Sequence, residues 1–252
     1  MRESGVRVAL AQIRVEAGDL DGNLERARKA IVAAKKHGAD VIVLPECLDF
    51  GWCGCEAIFQ AQPIPGAFSS LLAKWSKEAE LFVVAGLTER AGDKLYNAAV
   101  LIDPIHGLIG THRKIHELEF AQRLYSIGDQ LEVFDTTIGR IAIPICADLL
   151  VAETGLESGK LGAEIILSPA SWAVPPDFDN QATPYGAEWI DSYRNIAKNY
   201  NIPVVGVSNI GQIEGGPWDK WPVIGRSLAI GRDGTILAFG KYNEEDLLFI
   251  EL

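Results

Sequence analysis

Gly38-Ala39-Asp40-Val41-Ile42-Val43-Leu44-Pro45 and Gly162-Ala163-Glu164-Ile165-Ile166-Leu167-Ser168-Pro169 follow one pattern: glycine, alanine, an acid, an apolar run and a proline stop. An unbroken apolar run of this length, bounded by glycine and proline, reads as a strand buried on both faces. A second apolar strand stands ahead of each copy, at residues 6–12 in the first half and 140–146 in the second. Each pair is separated by a segment that suits a helix. In the first, Leu24, Ala27, Ile31 and Ala34 fall on one helical face, with Asp21 or Asn23 as a possible cap; in the second, the helix is expected at residues 154–161. Parallel strands need such a crossover between them. The chain thus reads as two strand–helix–strand halves of an α/β protein. Stacked sheet to sheet, they give a four-layer α-β-β-α sandwich with an internal pseudo-twofold.

Further helices are expected at residues 68–79 and 187–200. Further strands are expected at residues 82–87, 98–102, 133–135, 204–207, 227–230 and 235–239. Asp233-Gly234 marks a hairpin turn between the last two. No low-complexity or Gly/Pro/Ser-rich linker divides the sequence, so a single domain is expected across residues 1–252. Hydrophobic residues make up 48% and charged residues 23%, as in ordinary globular enzymes, and the formal net charge is −11. That charge argues against a nucleic-acid partner, which would call for a basic face. The apolar stretch 6–13 is too short for a membrane span or an export signal, so a cytoplasmic location with reduced cysteines is expected.

Three short segments carry candidate chemistry. Glu46 directly follows the first buried strand and Pro45; a carboxylate at such a strand end loses solvation, which suits it to taking up a proton. Cys146 ends the apolar run of the second half, where a strand turning abruptly into a helix would expose the sulfur, and a helix N-terminus there would favour the thiolate. Lys114 lies in the basic cluster Thr111-His112-Arg113-Lys114-Ile115-His116. Each alone also has a plain structural reading: a polar loop start, a buried free cysteine, a solvated basic patch.

Together the segments say more. Leu44-Pro45-Glu46, His112-Arg113-Lys114-Ile115-His116 and Ile145-Cys146-Ala147-Asp148 resemble the three catalytic blocks of the nitrilase (carbon–nitrogen hydrolase) superfamily, in the same order. The resemblance extends through Ala11-Gln12, Gly128-Asp129, Ser168-Pro169-Ala170-Ser171-Trp172, Arg194-Asn195-Ile196-Ala197 and Gly225-Arg226-Ser227, so it spans nearly the whole chain. It implies an amidase acting on a non-peptide C–N bond of a small molecule, without a cofactor. Glu46 would be the general base, Cys146 the nucleophile that forms a thioester, and Lys114 the oxyanion's partner, helped by a backbone N–H just after Cys146. It also implies a homo-oligomer, most simply a dimer.

The sequence departs from that family pattern at several positions. Members carry a second glutamate that holds the lysine; ungapped spacing puts that position near Ala121, and of Glu117 and Glu119 just upstream, Glu119 is preferred. Ala147 stands where many members have an aromatic residue, which should widen the site. Leu150 stands where hydrolases of ω-amides of dicarboxylic acids often have an arginine, so a carboxylate-bearing substrate loses support. Trp52 and Trp172 are expected to wall the substrate pocket, with core packing as the alternative, a stronger one for Trp52 than for Trp172. Arg113 or Arg194 could replace the missing arginine.

The spacings of Cys47, Cys53 and Cys55, and of His112 and His116, do not match zinc-binding patterns, so no metal is expected. No Gly-x-Ser-x-Gly elbow supports a serine hydrolase. Gly18-Asp19-Leu20-Asp21-Gly22-Asn23-Leu24 resembles the glutaminase domains of NAD synthetases, so a glutaminase-like or N-carbamoyl amide hydrolase is the alternative. A catalytically silent binding protein on the same fold is a further one.

Overall fold

In a computed structural model, which describes residues 5–252, the two apolar octapeptides form the middle strands of two six-stranded sheets. The first sheet runs, in spatial order, Asp246–Glu251, Arg7–Gln12, Val41–Val43, Phe82–Ala91, Lys94–Asp103, Gly107–Arg113. The second runs Val133–Thr136, Gly139–Ala142, Ile165–Ala170, Val204–Ser208, Leu228–Ile230, Ile236–Phe239. In both, the second strand pairs parallel with the third and the third parallel with the fourth, while the outer pairings are antiparallel. The expected pseudo-twofold is therefore present strand for strand.

The pleat sorts side chains between two cores. Val8, Leu10, Val41 and Val43 point inward and meet Ile141, Ile143, Ile166 and Val205 of the facing sheet. Ala9, Ile42 and Leu44 point outward and are covered by Leu24, Ala27 and Ile31 of the Leu20–Lys36 helix and by Leu72 and Trp75 of the Ala67–Ala79 helix. On the far side, the Ala152–Lys160 and Ala187–Tyr200 helices cover the second sheet, the latter burying Trp189, Tyr193, Ile196 and Ala197. Four layers result, because each sheet has one face for the other sheet and one for its own helices.

Local details differ from the sequence reading. The first helix begins at Leu20 and is capped by Asp19, whose Oδ1 accepts from the Gly22 N–H at 3.2 Å; Asp21 and Asn23 lie inside it. Asn23 instead bridges the backbone of Glu16 and Asp49. Five strands were not anticipated. Arg14–Val15, Ile210–Gln212 and Pro222–Ile224 form a small third sheet and are too short to show a period. Gly107–Arg113 ends in the basic cluster, whose charge masked its strand character, and Asp246–Glu251 closes the edge of the first sheet by pairing with Arg7–Gln12. Among the described residues no helix is long and apolar enough to cross a membrane.

Candidate active site

The C-terminal ends of the middle strands meet where the two sheets face one another: the Glu46 N–H donates to the Ala170 carbonyl at 3.3 Å, joining the halves. Glu46 follows the Val41–Val43 strand and is 1% exposed. The neighbouring strand passes so close that a Cβ on Gly86 would lie 2.5 Å from the Glu46 Cα, so only glycine fits there.

Lys114 follows the Gly107–Arg113 strand and is itself buried. Its N–H donates to the Asn97 carbonyl and its own carbonyl accepts from Gly128, each at 2.8 Å, which fixes the backbone on both sides of the ammonium. Nζ lies 2.7 Å from Glu46 Oε1 and 3.6 Å from Glu117 Oε1. Burial alone would drive this lysine toward its neutral form. Glu117 and Glu46 outweigh that, and its pKa stands above the ordinary lysine range.

Glu117 and Glu119 change places relative to the sequence reading. Glu117 is buried and held by Trp52 Nε1 at 3.3 Å and Asn97 Nδ2 at 2.7 Å, whereas Glu119 is exposed. The reason is geometric: after its strand the chain turns, and only the residue three beyond Lys114 returns to the ammonium. Burial pushes the Glu117 carboxyl above its usual range, against the pull of Lys114.

Asn97 was missed altogether. Its Nδ2 donates to Glu46 Oε1 at 2.6 Å as well as to Glu117, and its Oδ1 accepts from the Cys47 thiol at 3.4 Å. The signal was available as a lone amide inside the apolar strand Tyr96-Asn97-Ala98-Ala99-Val100, since buried amides are kept where they are satisfied.

Cys146 ends its strand with φ +45, in the left-handed region that is strained for a non-glycine residue, and opens a 3-10 turn over Cys146–Leu149. Its N–H donates to Ser168 Oγ at 3.1 Å. The turn is held by Asp148, which accepts from the N–H groups of Ile145, Ile115 and His116 and sits 2.9 Å from His112 Nε2. One buried carboxylate thus ties the cysteine turn to the lysine segment. Burial opposes the charge on Asp148, but His112 and these donors more than offset it and hold the carboxyl below its ordinary range.

The expected thiolate is not favoured. Burial, followed by the Glu46 carboxylate, pushes the Cys146 thiol well above its ordinary range, with Lys114 only partly opposing them. A four-residue 3-10 turn supplies little of the dipole that a full helix would.

Glu46, Lys114 and Cys146 converge on one cavity of about 240 Å³. Trp52, Trp172 and Ala147 line it, as does Leu150. Leu118, Tyr185, Glu188, Trp189 and Trp218 also line it without having been singled out in the sequence; they come from separate segments of the chain, so spacing gave no cue. Neither arginine reaches it: Arg113 pairs with Glu89 at 2.6 Å, and Arg194 donates to the Gly234 carbonyl. His112 and His116 are engaged by Asp148 and Thr154, and among the described residues no His/Cys/Asp/Glu group could hold a metal.

The chain is similar to known proteins along most of its length. A nitrilase from Pyrococcus abyssi is 30% identical over 98% of this chain and 89% of its own length. The mouse omega-amidase NIT2 is 30% identical over 67% of this chain, a match spanning 64% of that enzyme. An amidase from Nesterenkonia sp. AN1, seen with acrylamide added to its active-site cysteine, superposes with a TM-score of 0.83 at 19% identity, covering 98% of this chain and 93% of that one. The carbon-nitrogen hydrolase family model matches residues 7–252. With the α-β-β-α sandwich and nearly the whole sequence accounted for, the chain belongs to the carbon-nitrogen hydrolase family of the nitrilase superfamily.

Proposed function

We propose that this protein hydrolyses an amide of a small molecule through a thioester on Cys146. The observation that carries the reading is the convergence of Glu46, Lys114 and Cys146 on one aromatic-walled cavity, with Lys114 Nζ 2.7 Å from Glu46. Because burial holds Cys146 as a thiol, its proton must pass to Glu46 as the sulfur attacks the amide carbon. The oxyanion that forms gains the Lys114 ammonium, kept charged by its two glutamates, and the Ala147 N–H at the start of the 3-10 turn. Glu46 then gives the proton to the departing nitrogen, and ammonia or an amine leaves. Water, deprotonated by Glu46, attacks the thioester; the carboxylic acid departs and the sulfur regains its proton. Glu117 and Asn97 do not reach the reacting bond in this scheme but hold the lysine and Glu46 in register.

The acyl group preferred is one without a carboxylate. Leu150 occupies the wall where a clamping arginine would stand, and Arg113 and Arg194 are occupied elsewhere. A charge-assisted bond to a substrate carboxylate, worth about 1.5–3 kcal/mol, is therefore missing. Ammonia release from a panel of primary amides tests this, together with mass spectrometry of the acyl-enzyme. An ω-amide of a dicarboxylic acid winning by tenfold over a short aliphatic amide would refute the pocket reading, and an adduct on any other cysteine would refute the mechanism. We further propose a homodimer, for which light scattering should return at least twice the chain mass of 27.4 kDa.

A further inference from the structure

The cavity has an acidic residue that the chemistry above leaves unused. Glu188, in the first turn of the Ala187–Tyr200 helix, lines the cavity yet is exposed, which puts it at the mouth. It makes no hydrogen bond or ion pair with any described residue. Among the described residues Lys114 is the only lysine or arginine on the lining, and its charge is already met by Glu46 and Glu117. The lining therefore carries a net negative charge with one free carboxylate.

The walls beside Glu188 are aromatic. Trp172 stacks on Trp189 with ring centroids 4.7 Å apart and interplanar angle 28°, and Tyr185 closes the group 6.4 Å from Trp172. Trp189 Nε1 donates to the Tyr185 hydroxyl at 2.8 Å, which fixes the two rings relative to one another. The Tyr185 phenol is pushed up chiefly by burial, and Tyr185 lines the same cavity as Cys146 and Glu188. Aromatic faces beside a carboxylate favour a cation and give nothing to an anion. This wall belongs to the same half of the molecule as Cys146, whereas Glu46, which protonates the leaving nitrogen, belongs to the other.

We infer that Glu188 and the Trp172–Tyr185–Trp189 wall form a subsite for a positively charged group at the far end of the substrate's acyl chain. The substrate class is then an amide whose acyl group ends in an ammonium or a similar cation. This inference rests on the amidase reading above for its function, but the subsite can be measured without turnover.

The test compares 6-aminohexanamide with heptanamide, which match in length and differ in charge. In the native protein the cationic amide should have the higher kcat/KM by at least about tenfold, with the advantage shrinking as salt is raised. Glu188→Gln should collapse the ratio to within about threefold of unity and Glu188→Lys should invert it. Glu153→Gln, on the exposed Ala152–Lys160 helix outside the cavity, should leave it unchanged. Calorimetry on the Cys146→Ala protein should give the same preference in Kd. A ratio that survives Glu188→Gln, or equal binding of the two amides, overturns the subsite. A cation preferred on the leaving amine instead of the acyl chain overturns its placement. If the cationic amide binds more tightly but neither amide releases ammonia, the subsite stands and the amidase reading falls.

Discussion

The two halves of the molecule end their strands in the same places, but only one of these ends is open. The repeated octapeptide equates Val41 with Ile165, and their parallel partners are Val8 and Ile141, so the strand ends Gln12-Ile13 and Ile145-Cys146 correspond. On the other side, Val43 and Leu167 lead through Val84 and Val205 to Leu101 and Ala229, and on to Gly110 and Ala238. Continuing the ladder sets Asn97 and Lys114 against Gly225 and Tyr242. Glu46 corresponds to Ala170, to whose carbonyl it is bonded. At one end stand Glu46, Asn97, Lys114 and, from the other half, Cys146.

The equivalent end is sealed by one side chain. Gln12 donates to the carbonyls of Lys241 and Glu244, each at 2.7 Å, and accepts from the Ser227 N–H at 2.9 Å. A Cβ on Gly225 would come within 2.4 Å of that amide, so there is no room for a side chain where Asn97 stands in the other half. The same strand end can thus hold a cluster of polar groups that faces a cavity or a knot whose polar groups are satisfied within the protein.

The comparison can be broken at the open end first. Cys146→Ala should abolish amide hydrolysis, a loss of at least about a thousandfold, while Cys47→Ser, Cys53→Ser and Cys55→Ser keep most of it; a second essential cysteine would place the nucleophile elsewhere. Lys114→Ala and Glu46→Gln should each stay folded and lose at least about a hundredfold in kcat. Retention of more than about a tenth of the native rate, or ~1.4 kcal/mol, would remove the assigned role.

Asp148 links the open end to both halves, so its loss should appear as stability. Asp148→Asn is expected to cost about 3 kcal/mol, seen as a fall in the denaturant midpoint, because it breaks the buried pair with His112. The pH dependence carries the sign. A carboxyl held below its ordinary value of 3.8 contributes stability that is present above that value and lost as pH falls through the lower folded-state pKa. The native protein should therefore lose more stability than Asp148→Asn between about pH 4.5 and about pH 2.5. Parallel acid limbs would contradict the assignment.

At the sealed end the pattern should reverse. Gln12→Ala removes the partner of the buried Ser227 N–H and of the part-buried Lys241 and Glu244 carbonyls and should cost about 2 kcal/mol of stability, while kcat/KM of the folded protein stays within about threefold. A large loss of activity at unchanged stability would mean that the two ends are not independent. The smallest expected effect separates the two glutamates after Lys114: Glu117→Gln should lower kcat by about tenfold, and Glu119→Gln by less than about twofold. The opposite order would return the supporting role to Glu119.

Much of this was legible along the chain. Buried strands announce themselves through unbroken apolar runs, as at Val41-Ile42-Val43-Leu44 and Ile165-Ile166-Leu167, because a strand with both faces covered cannot carry polar residues. Their repetition gave the two halves and the four layers. The positions of Glu46 and Cys146 followed, since each directly ends such a run. Lys114 was visible through its motif and not its element, for the strand beneath it, Gly107–Arg113, is half-buried at most positions and has little apolar signal.

The sequence by itself determined the duplicated α/β framework and the three residues that its strand ends present, because both follow from local hydrophobic pattern and short motifs. Only the tertiary structure decided which glutamate reaches Lys114, that Asn97 holds Glu46 and Glu117 together, and that Asp148 fastens one half to the other. It alone also placed Glu188 beside a tryptophan wall and sealed the opposite strand end with Gln12. Each of these depends on where a side chain lands after the chain has turned, across sequence distances over which no periodicity persists. Burial then sets the chemistry: the same cysteine that a free helix end would ionise is kept as a thiol by the desolvation and the neighbouring carboxylate that folding brings to it.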